Sequence, residues 1–265
     1  MVIGISGKIG SGKDTVGKII QYLIYYEKYK NTKNFYYPVD VWLAELEYNP
    51  NLDLSTSGFH IKKFADILKD MVCLLLGCTR EQLEDNEFKN KELGEEWSLI
   101  GITNEVECVH CGYLKDTLSS NLTPRLLMQL LGTECGRQII HPNIWVNALM
   151  SKYKPISDNL LEGEIRKVRE EDLVFPNWII TDMRFPNELQ AVEHRESITI
   201  RVNRPMPKDS ISLQAASEFT GKRIVEHPSE TALDRASFDY IIENNGTIEE
   251  LVEKVKQILT ELKFI

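Results

Sequence analysis

The chain lacks a hydrophobic segment long enough to cross a membrane. No uninterrupted apolar stretch among its 265 residues approaches the roughly 18 to 20 residues that a membrane span needs. The apolar start, Val2 to Ile5, gives way at once to glycines instead of extending into the apolar core of a signal peptide. We therefore expect a cytoplasmic protein without a membrane partner.

Cysteine and positive charge are also scarce. The chain has five cysteines, an odd number, and no secretory signal, so we expect reduced thiols and not a disulfide framework. The 31 Lys and Arg residues are outnumbered by 40 Asp and Glu residues, which gives a formal net charge of −9. Such a surface repels a nucleic-acid backbone, so we expect no nucleic-acid partner, and any bound phosphate must be held by local donors.

Apolar runs that alternate with helical patterns predict an α/β fold. A mostly parallel sheet with helices on both faces, in three layers, is the arrangement that such alternation favours. Residues 31–57 show no clear period and are predicted to be irregular, with at most one short strand. The predicted strands are 2–6, 59–63, 178–182, 198–202 and 238–242, and the predicted helices are 15–29, 64–75, 124–131, 143–153, 187–195 and 248–262.

A phosphate-binding loop stands between the first predicted strand and the first predicted helix. Its glycine, four-residue, Gly-Lys pattern would turn backbone N–H groups toward phosphates, while the lysine ammonium reaches the outer phosphate oxygens. This predicts a nucleoside triphosphate as the ligand. The candidate nucleotide-binding residues are Gly7, Lys8, Gly10, Ser11, Gly12, Lys13, Asp14 and Thr15.

The magnesium ligand departs from the usual pattern, because Asp14 follows Lys13 where a Ser or Thr is usual. A carboxylate can bind Mg²⁺ directly or hold one of its waters, so Asp14 is the candidate metal ligand. Asp182, at the end of a predicted strand, is the candidate second acid. Its competing interpretation is a helix-capping or turn residue.

Arginines after the later strands suit a second phosphate site. A kinase whose acceptor is itself a phosphate needs planar, bidentate cations, and Arg184 lies two residues beyond Asp182 at the carboxyl edge of the predicted sheet. Arg125 and Gln129 share one helix face, apart from the leucine stripe. Each arginine could instead be a solvated surface residue.

Several blocks of the sequence together resemble the phage-type deoxynucleoside monophosphate kinases. The likeness covers most of the chain but leaves out roughly 31–57, 92–120 and 154–173. The blocks are Ser6-Gly7-Lys8-Ile9-Gly10-Ser11-Gly12-Lys13-Asp14-Thr15, Arg125-Leu126-Leu127-Met128-Gln129-Leu130-Leu131-Gly132-Thr133-Glu134, Trp145-Val146, Asp182-Met183-Arg184 with Glu188, His227-Pro228-Ser229-Glu230, and Asn244-Asn245-Gly246-Thr247-Ile248-Glu249-Glu250-Leu251.

The resemblance implies an ATP-dependent enzyme that converts a deoxynucleoside 5′-monophosphate to the diphosphate with Mg²⁺. Lys13, Arg184 and Asp182 would be catalytic. Trp145 would offer a flat surface to base or sugar, although a core aromatic residue is the competing interpretation. The residues expected at the acceptor are Lys69, Arg125, Gly132, Thr133, Trp145, Asp182, Arg184 and Glu188.

The resemblance also implies a single P-loop kinase domain over residues 1–265. Its core would comprise 1–30, 58–70, 176–204 and 236–265, with a helical substrate-binding insertion at about 64–155. A polar, turn-rich stretch at about 204–232 suits a lid that closes on ATP. The sequence leaves a homodimer open.

Three alternatives stay open on the sequence alone. Cys108 and Cys111 have the spacing of half a zinc site, but no second pair follows, so reduced thiols are favoured over zinc. A kinase of another phosphorylated metabolite, such as dephospho-coenzyme A, would share the phosphate loop. A nucleotide-dependent switch would hydrolyse ATP or GTP without an acceptor.

Overall fold

The computed structural model describes residues 1–32, 37–48, 54–97, 122–156, 173–205 and 228–265. These residues form two compact units. The first comprises Met1–Lys63 and Lys152–Ile265, and the second comprises Phe64–Ser151. None of the helices within these ranges has the length and apolar character to traverse a bilayer.

The first unit contains a parallel five-stranded sheet with the order β2-β3-β1-β4-β5. This confirms the predicted α/β fold of the P-loop kinase type. The predicted strands agree with the observed ones to within two residues at each end. The strands are β1 (Val2–Ser6), β2 (Phe59–Lys62), β3 (Asn177–Met183), β4 (Ser197–Asn203) and β5 (Tyr240–Glu243).

The central position of β1 places the phosphate loop at a topological switch point. β1 pairs with β3 on one side and with β4 on the other. The chain therefore runs from β1 to β2 and β3 on one side, and then crosses to β4 and β5 on the other side. Open parallel sheets bind ligands at the carboxyl ends of their strands beside such a point. The loop after β1, the residues after β3 and those after β4 therefore converge at one sheet edge.

Helices cover both faces of this sheet. A Cβ atom added to Gly4 would lie 3.0 Å from Val192, whereas Ile5, the next residue, lies toward Gly17 on the opposite face. The long helices α1 and α10 pack against each other, and α8 packs on β1 and β4. The helices of this unit are α1 (Lys13–Tyr29), α2 (Val39–Tyr48), α8 (Pro186–Glu193), α9 (Pro228–Thr231) and α10 (Ile248–Glu261).

Helix α2 corrects the prediction that residues 31–57 are irregular. Trp42 is 1% exposed, and its ring stacks on Tyr22 of α1 with the centroids 4.4 Å apart. The N–H of Trp42 also donates to the carbonyl oxygen of Pro38 (3.0 Å). The helix is stabilised by this contact with a distant residue. Val39, Leu43 and Leu46 also pack against the core and share helical spacing with Trp42, a period that the prediction overlooked.

The second unit is helical and contains a π-helix, Leu130–Ile140, that continues directly from α6. Thr123 caps α6 by accepting from the N–H of Leu126, and Pro124 follows it, as predicted. Gly77 ends α3 in the left-handed conformation, also as predicted. The other helices of this unit are α3 (Asp66–Leu76), α4 (Arg80–Glu84), α5 (Asn86–Asn90), α6 (Pro124–Gln129) and α7 (Ile144–Met150).

Gly17 sets how closely α1 approaches the sheet, and this generates a stability prediction. A Cβ atom at this position would lie 2.5 Å from Cγ2 of Thr181. Gly→Ala inside a helix normally stabilises by about 1 kcal/mol. We expect Gly17→Ala instead to lower the free energy of unfolding by about 1–3 kcal/mol, because the helix must move off β3. Urea denaturation measures this change.

Thr181→Ser provides the matched control, since it removes the clashing methyl group and keeps the hydroxyl. The double variant Gly17→Ala/Thr181→Ser should recover part of the loss, so the two changes should not be additive. Additive losses would show that the contact with Thr181 does not set the helix position.

Candidate active site

The loop between β1 and α1 is held in place by two close approaches of its glycines. Gly12 has a φ of 95°, and a Cβ atom there would lie 2.6 Å from the amide nitrogen of Asn244. That nitrogen donates to the carbonyl oxygen of Ser11 (2.8 Å). A Cβ atom at Gly7 would lie 2.4 Å from the carbonyl oxygen of Val202. The loop is therefore fastened to β4 and to the segment after β5.

Lys13 lies at the first position of α1 with its side chain drawn back over the loop. The residue is 7% exposed, and Nζ donates to the carbonyl oxygen of Lys8 (2.8 Å). The pKa of the Lys13 ammonium is lowered to about 8, chiefly by burial and also by the nearby Arg184 guanidinium. The negative charges of Asp14, Glu230 and Asp182 act in the opposite direction. The ammonium is mostly protonated at neutral pH, as a phosphate ligand requires.

The Ser11 hydroxyl indicates that the loop is shaped for a ligand. It is buried, and no group in the described part of the chain forms a hydrogen bond with it. Buried hydroxyls nearly always have a partner, so such an orphan needs an explanation. A phosphate oxygen in the loop would supply an acceptor beside Lys13.

Asp14, the candidate metal ligand, forms an ion pair with Lys63. Its Oδ1 lies 2.7 Å from Nζ of Lys63 and accepts a hydrogen bond from the Thr181 hydroxyl (2.6 Å). Desolvation alone would raise the pKa of Asp14. The charge and hydrogen bond of Lys63, together with Thr181 and Lys13, lower it overall. The carboxylate is therefore ionised.

Lys63 and Thr181 are contacts that sequence reasoning missed. Both lie near the carboxyl ends of predicted strands, β2 and β3, which is the available signal. Asp182 follows Thr181 and contributes its charge to the surroundings of Lys13. Its role as a second acid at the metal stays a prediction. Among the described residues, no group of three or more His, Cys, Asp or Glu side chains could hold a metal ion.

Glu188 fixes the turn that carries Arg184. The carboxylate is buried, and Oε2 accepts hydrogen bonds from the backbone N–H groups of Arg184 (2.7 Å) and Phe185 (3.0 Å). These bonds show a positioning role at the start of α8. Contact of Glu188 with an acceptor stays a prediction.

Two acidic residues contact the phosphate loop: Glu230, in the last turn of α9, and Asp234, just after that helix. Glu230 forms an ion pair with Arg184, and its other oxygen accepts from the N–H of Ile9 (2.8 Å). Asp234 accepts from Nη2 of Arg201 (2.7 Å) and lies 3.8 Å from Nζ of Lys8. The sequence places Glu230 in one of the blocks that resemble the kinase family but indicates no role for it.

A cavity of about 460 Å³ lies beside the loop. Its walls come from the loop, from β4 and Arg204 after it, from the segment before β5, and from Ile241 in β5. Arg201 lies on one side, with Cζ 5.8 Å from the centre of the Phe238 ring, and Nη1 donates to the Ser6 hydroxyl (3.0 Å). The cavity therefore joins apolar walls to cations next to the phosphate loop.

The remaining predicted site residues lie in the second unit. Lys69 forms an ion pair with Glu84, and Nε of Arg125 donates to the side-chain oxygen of Asn90 (2.8 Å). The Trp145 indole N–H donates to the carbonyl oxygen of Gly132 in the π-helix (2.7 Å), and its ring is buried. Thr133 follows Gly132 in that helix.

The structure thus gathers the loop residues, Asp182 and Arg184 in the first unit. Two further predicted features, a zinc site and a lid, cannot be placed in this way. The zinc candidates Cys108 and Cys111 lie outside the described residues, as does most of the predicted lid.

Comparison with known proteins identifies related sequences. The model of a family described as deoxynucleotide monophosphate kinase matches residues 1–255. The chain is 27% identical over 250 residues to the deoxynucleoside-5′-monophosphate kinase of Escherichia phage T5, covering 88% of this chain and 85% of that protein. It is 24% identical over 210 residues to a provisionally assigned deoxynucleotide monophosphate kinase of Acanthamoeba polyphaga mimivirus, covering 75% and 81%.

The lowered pKa of Lys13 predicts how polyphosphate affinity depends on pH. The ammonium is charged below its pKa of about 8 and loses its proton above it. The affinity of the metal-free protein for inorganic tripolyphosphate should therefore fall as the pH rises through about 8. Isothermal titration calorimetry in EDTA between pH 6.5 and 9.5 measures this.

Lys13→Arg is the matched variant, because a guanidinium keeps its charge across this range. The tripolyphosphate affinity of Lys13→Arg should not fall above pH 8. Any change that this variant does show with pH measures the titration of the ligand itself. Identical pH profiles for the two proteins would contradict the role of the Lys13 ammonium.

Proposed function

The chain belongs to the deoxynucleotide monophosphate kinase family, and on that premise we propose that it transfers the γ-phosphoryl group of ATP to a deoxynucleoside 5′-monophosphate. The proposal depends most on one observation. Lys13 is buried in a glycine-clamped loop that also contains the orphan Ser11 hydroxyl, with Arg184 nearby. A triphosphate satisfies both the charge and the missing acceptor.

The cavity beside the loop supports a nucleoside triphosphate as the donor. Its volume of about 460 Å³ and its apolar walls suit a base and sugar, which would lie next to phosphates held in the loop. Arg201 and Arg204 line the same cavity and supply positive charge. We propose this cavity as the site of the donor nucleoside.

We propose Lys13, Arg184 and Asp182 as the catalytic residues. Phosphoryl transfer depends mainly on alignment and on stabilising the charge of the transferred group, so Lys13 would follow that group into the transition state. Arg184 would offset the charge of the acceptor phosphate, which otherwise repels the incoming group. Asp182 would accept hydrogen bonds from the acceptor.

The residues near Lys13 fit a requirement for Mg²⁺. This ion usually keeps several waters and takes only one or two carboxylates, so it does not need a larger acidic cluster. We propose Asp14, with Asp182 as the second acid, to hold it directly or through water. When bound, Mg²⁺ neutralises charge on the phosphate oxygens.

We also propose Lys69, Arg125, Gly132, Thr133 and Trp145 as acceptor-binding residues. The buried Trp145 would act on Gly132 through its indole hydrogen bond as well as by any contact of its ring. Glu188 would act by holding the backbone at Arg184. A cytoplasmic location, a homodimer and the lack of nucleic-acid and membrane partners remain our predictions.

A substrate panel tests the proposed reaction. Each deoxynucleoside monophosphate is incubated with ATP and Mg²⁺, and ADP release is followed in a coupled assay. Lys13→Ala should abolish turnover in a folded protein. Arg184→Ala should lower kcat/KM for the acceptor by about 100-fold or more, the scale of losing one charged donor in the transition state. ATP affinity should change much less.

Arg195→Ala is the matched control, because Arg195 lies at the opposite edge of the sheet, against the Tyr153 ring. It should retain normal kinetics. ADP release that does not depend on any deoxynucleoside monophosphate would contradict the proposal, and so would an Arg184→Ala defect confined to ATP.

A magnesium titration tests Asp14. Asp14→Asn keeps the shape of the side chain but removes its charge. The concentration of Mg²⁺ that gives the half-maximal rate should therefore rise by about 3- to 10-fold. Affinity for metal-free ATP should not weaken, because a carboxylate near phosphates is repulsive without a cation.

Lys63→Met separates the two roles of Asp14. If Asp14 acts through the metal, only Asp14→Asn raises the requirement for Mg²⁺. If both variants lower the rate equally at an unchanged magnesium requirement, Asp14 serves to hold Lys63, and our assignment of the metal ligand is wrong.

A further inference from the structure

Glu230 and Asp234, which we call the acidic clasp, both contact the phosphate loop. They lie four residues apart, and the chain between them turns back on itself, with the N–H of Asp234 donating to the carbonyl oxygen of Thr231 (3.0 Å). Each acid contacts one loop residue and one arginine. Glu230 contacts Ile9 and Arg184, while Asp234 contacts Lys8 and Arg201.

The clasp is shielded from solvent mainly at Glu230 and Arg201, whereas the side chains of Asp234 and Lys8 are 37% and 36% exposed. The side chains of Glu230 and Arg201 are only 16% and 12% exposed. Leu233, between the two acids, is 3% exposed and contributes to the wall of the cavity beside the loop. A buried leucine therefore anchors the short segment that carries both carboxylates.

The partners of the clasp are the kinds of group that bind phosphates. A backbone N–H in the phosphate loop, a lysine ammonium and two guanidinium groups are all preferred donors to phosphate oxygens. A carboxylate presents the same type of oxygen to them. Glu230 also lies close enough to Lys13 for its charge to affect that ammonium.

We propose that the acidic clasp competes with the phosphates of the donor nucleotide for the same donors. This inference rests on the proposed function, because it assumes that the loop binds a triphosphate. Glu230 leaves the N–H of Ile9 when the ligand binds, and Asp234 leaves Lys8 and Arg201. The same movement releases Arg184 from Glu230 for the acceptor phosphate. The two acids thereby set the affinity of the free protein for polyphosphate, although neither needs to contact the ligand.

This competition has a measurable consequence. Only the fraction of molecules with an open clasp can bind, so the apparent dissociation constant is the intrinsic one divided by that fraction. Weakening the clasp must then tighten binding. A purely structural role predicts the reverse, because a loosened loop and misplaced arginines bind phosphate less well.

The test uses the full chain with inorganic tripolyphosphate as the probe, in EDTA and at constant ionic strength. Glu230→Gln and Asp234→Asn each remove one charge and keep the shape of the side chain. We expect each to lower the dissociation constant by about threefold or more, and the double variant to lower it further. Thermal unfolding verifies that each variant is folded.

Glu253→Gln, on the exposed surface of α10, is the control for net charge. Clasp variants that bind tripolyphosphate no tighter than Glu253→Gln would overturn the clasp while leaving the proposed function in place. Failure of the native protein and of all variants to bind would overturn the phosphate site and the clasp together. Tighter binding by both clasp variants, but not by Glu253→Gln, supports the inference.

Discussion

Positive charge gathered at the carboxyl end of β1 is the constraint on which the rest of the site depends. Lys8, Lys13, Lys63, Arg184 and Arg201 all serve this one region of a chain whose net charge is −9. Left unpaired, these cations would repel one another and destabilise the fold. The structure compensates them with Asp14 beside the loop and with Glu230 and Asp234 from one distant segment. Electrostatic balance therefore links the loop region to the ends of β2 and β3, to β4 and to the segment around α9.

The backbone makes this concentration of charge possible. Parallel strands deliver β1, β3 and β4 to the same edge, and Glu188 then fixes the turn after β3 through two backbone N–H groups. The loop itself is clamped by Val202 and Asn244, neither of which is charged. Position is thus set by contacts that Glu188, Asn244 and Val202 make with the backbone of the loop and the turn, and affinity is left to the charged side chains.

Local patterns predicted most of the fold because buried parallel strands read as apolar runs and α10 has a clear helical period. Helix α2 escaped prediction because its apolar period, at Val39, Trp42, Leu43 and Leu46, spans only about two turns and does not stand out from its irregular surroundings. The π-helix after α6 also escaped, because the predicted helix ended at residue 131 and helical spacing does not reveal i+5 hydrogen bonds.

The candidate site, like the fold, could be predicted only in part. The loop from Gly7 to Thr15 is one contiguous motif, and its sequence identified it directly. The partners of that loop could not be identified, because Lys63, Glu230 and Asp234 are brought to it only by the fold. A charged residue at the end of a predicted strand is a usable signal for Lys63, whereas Glu230 and Asp234 follow no predicted strand.

Thr181 couples two requirements that most proteins assign to different residues. Its methyl group touches α1 where Gly17 leaves room, and its hydroxyl bonds to Asp14 in the site. Valine would keep the packing and lose the polar contact, while serine would do the opposite. Anyone grafting this loop onto another α/β scaffold must therefore transfer the threonine and the helix glycine together, although the two are 164 residues apart in the chain.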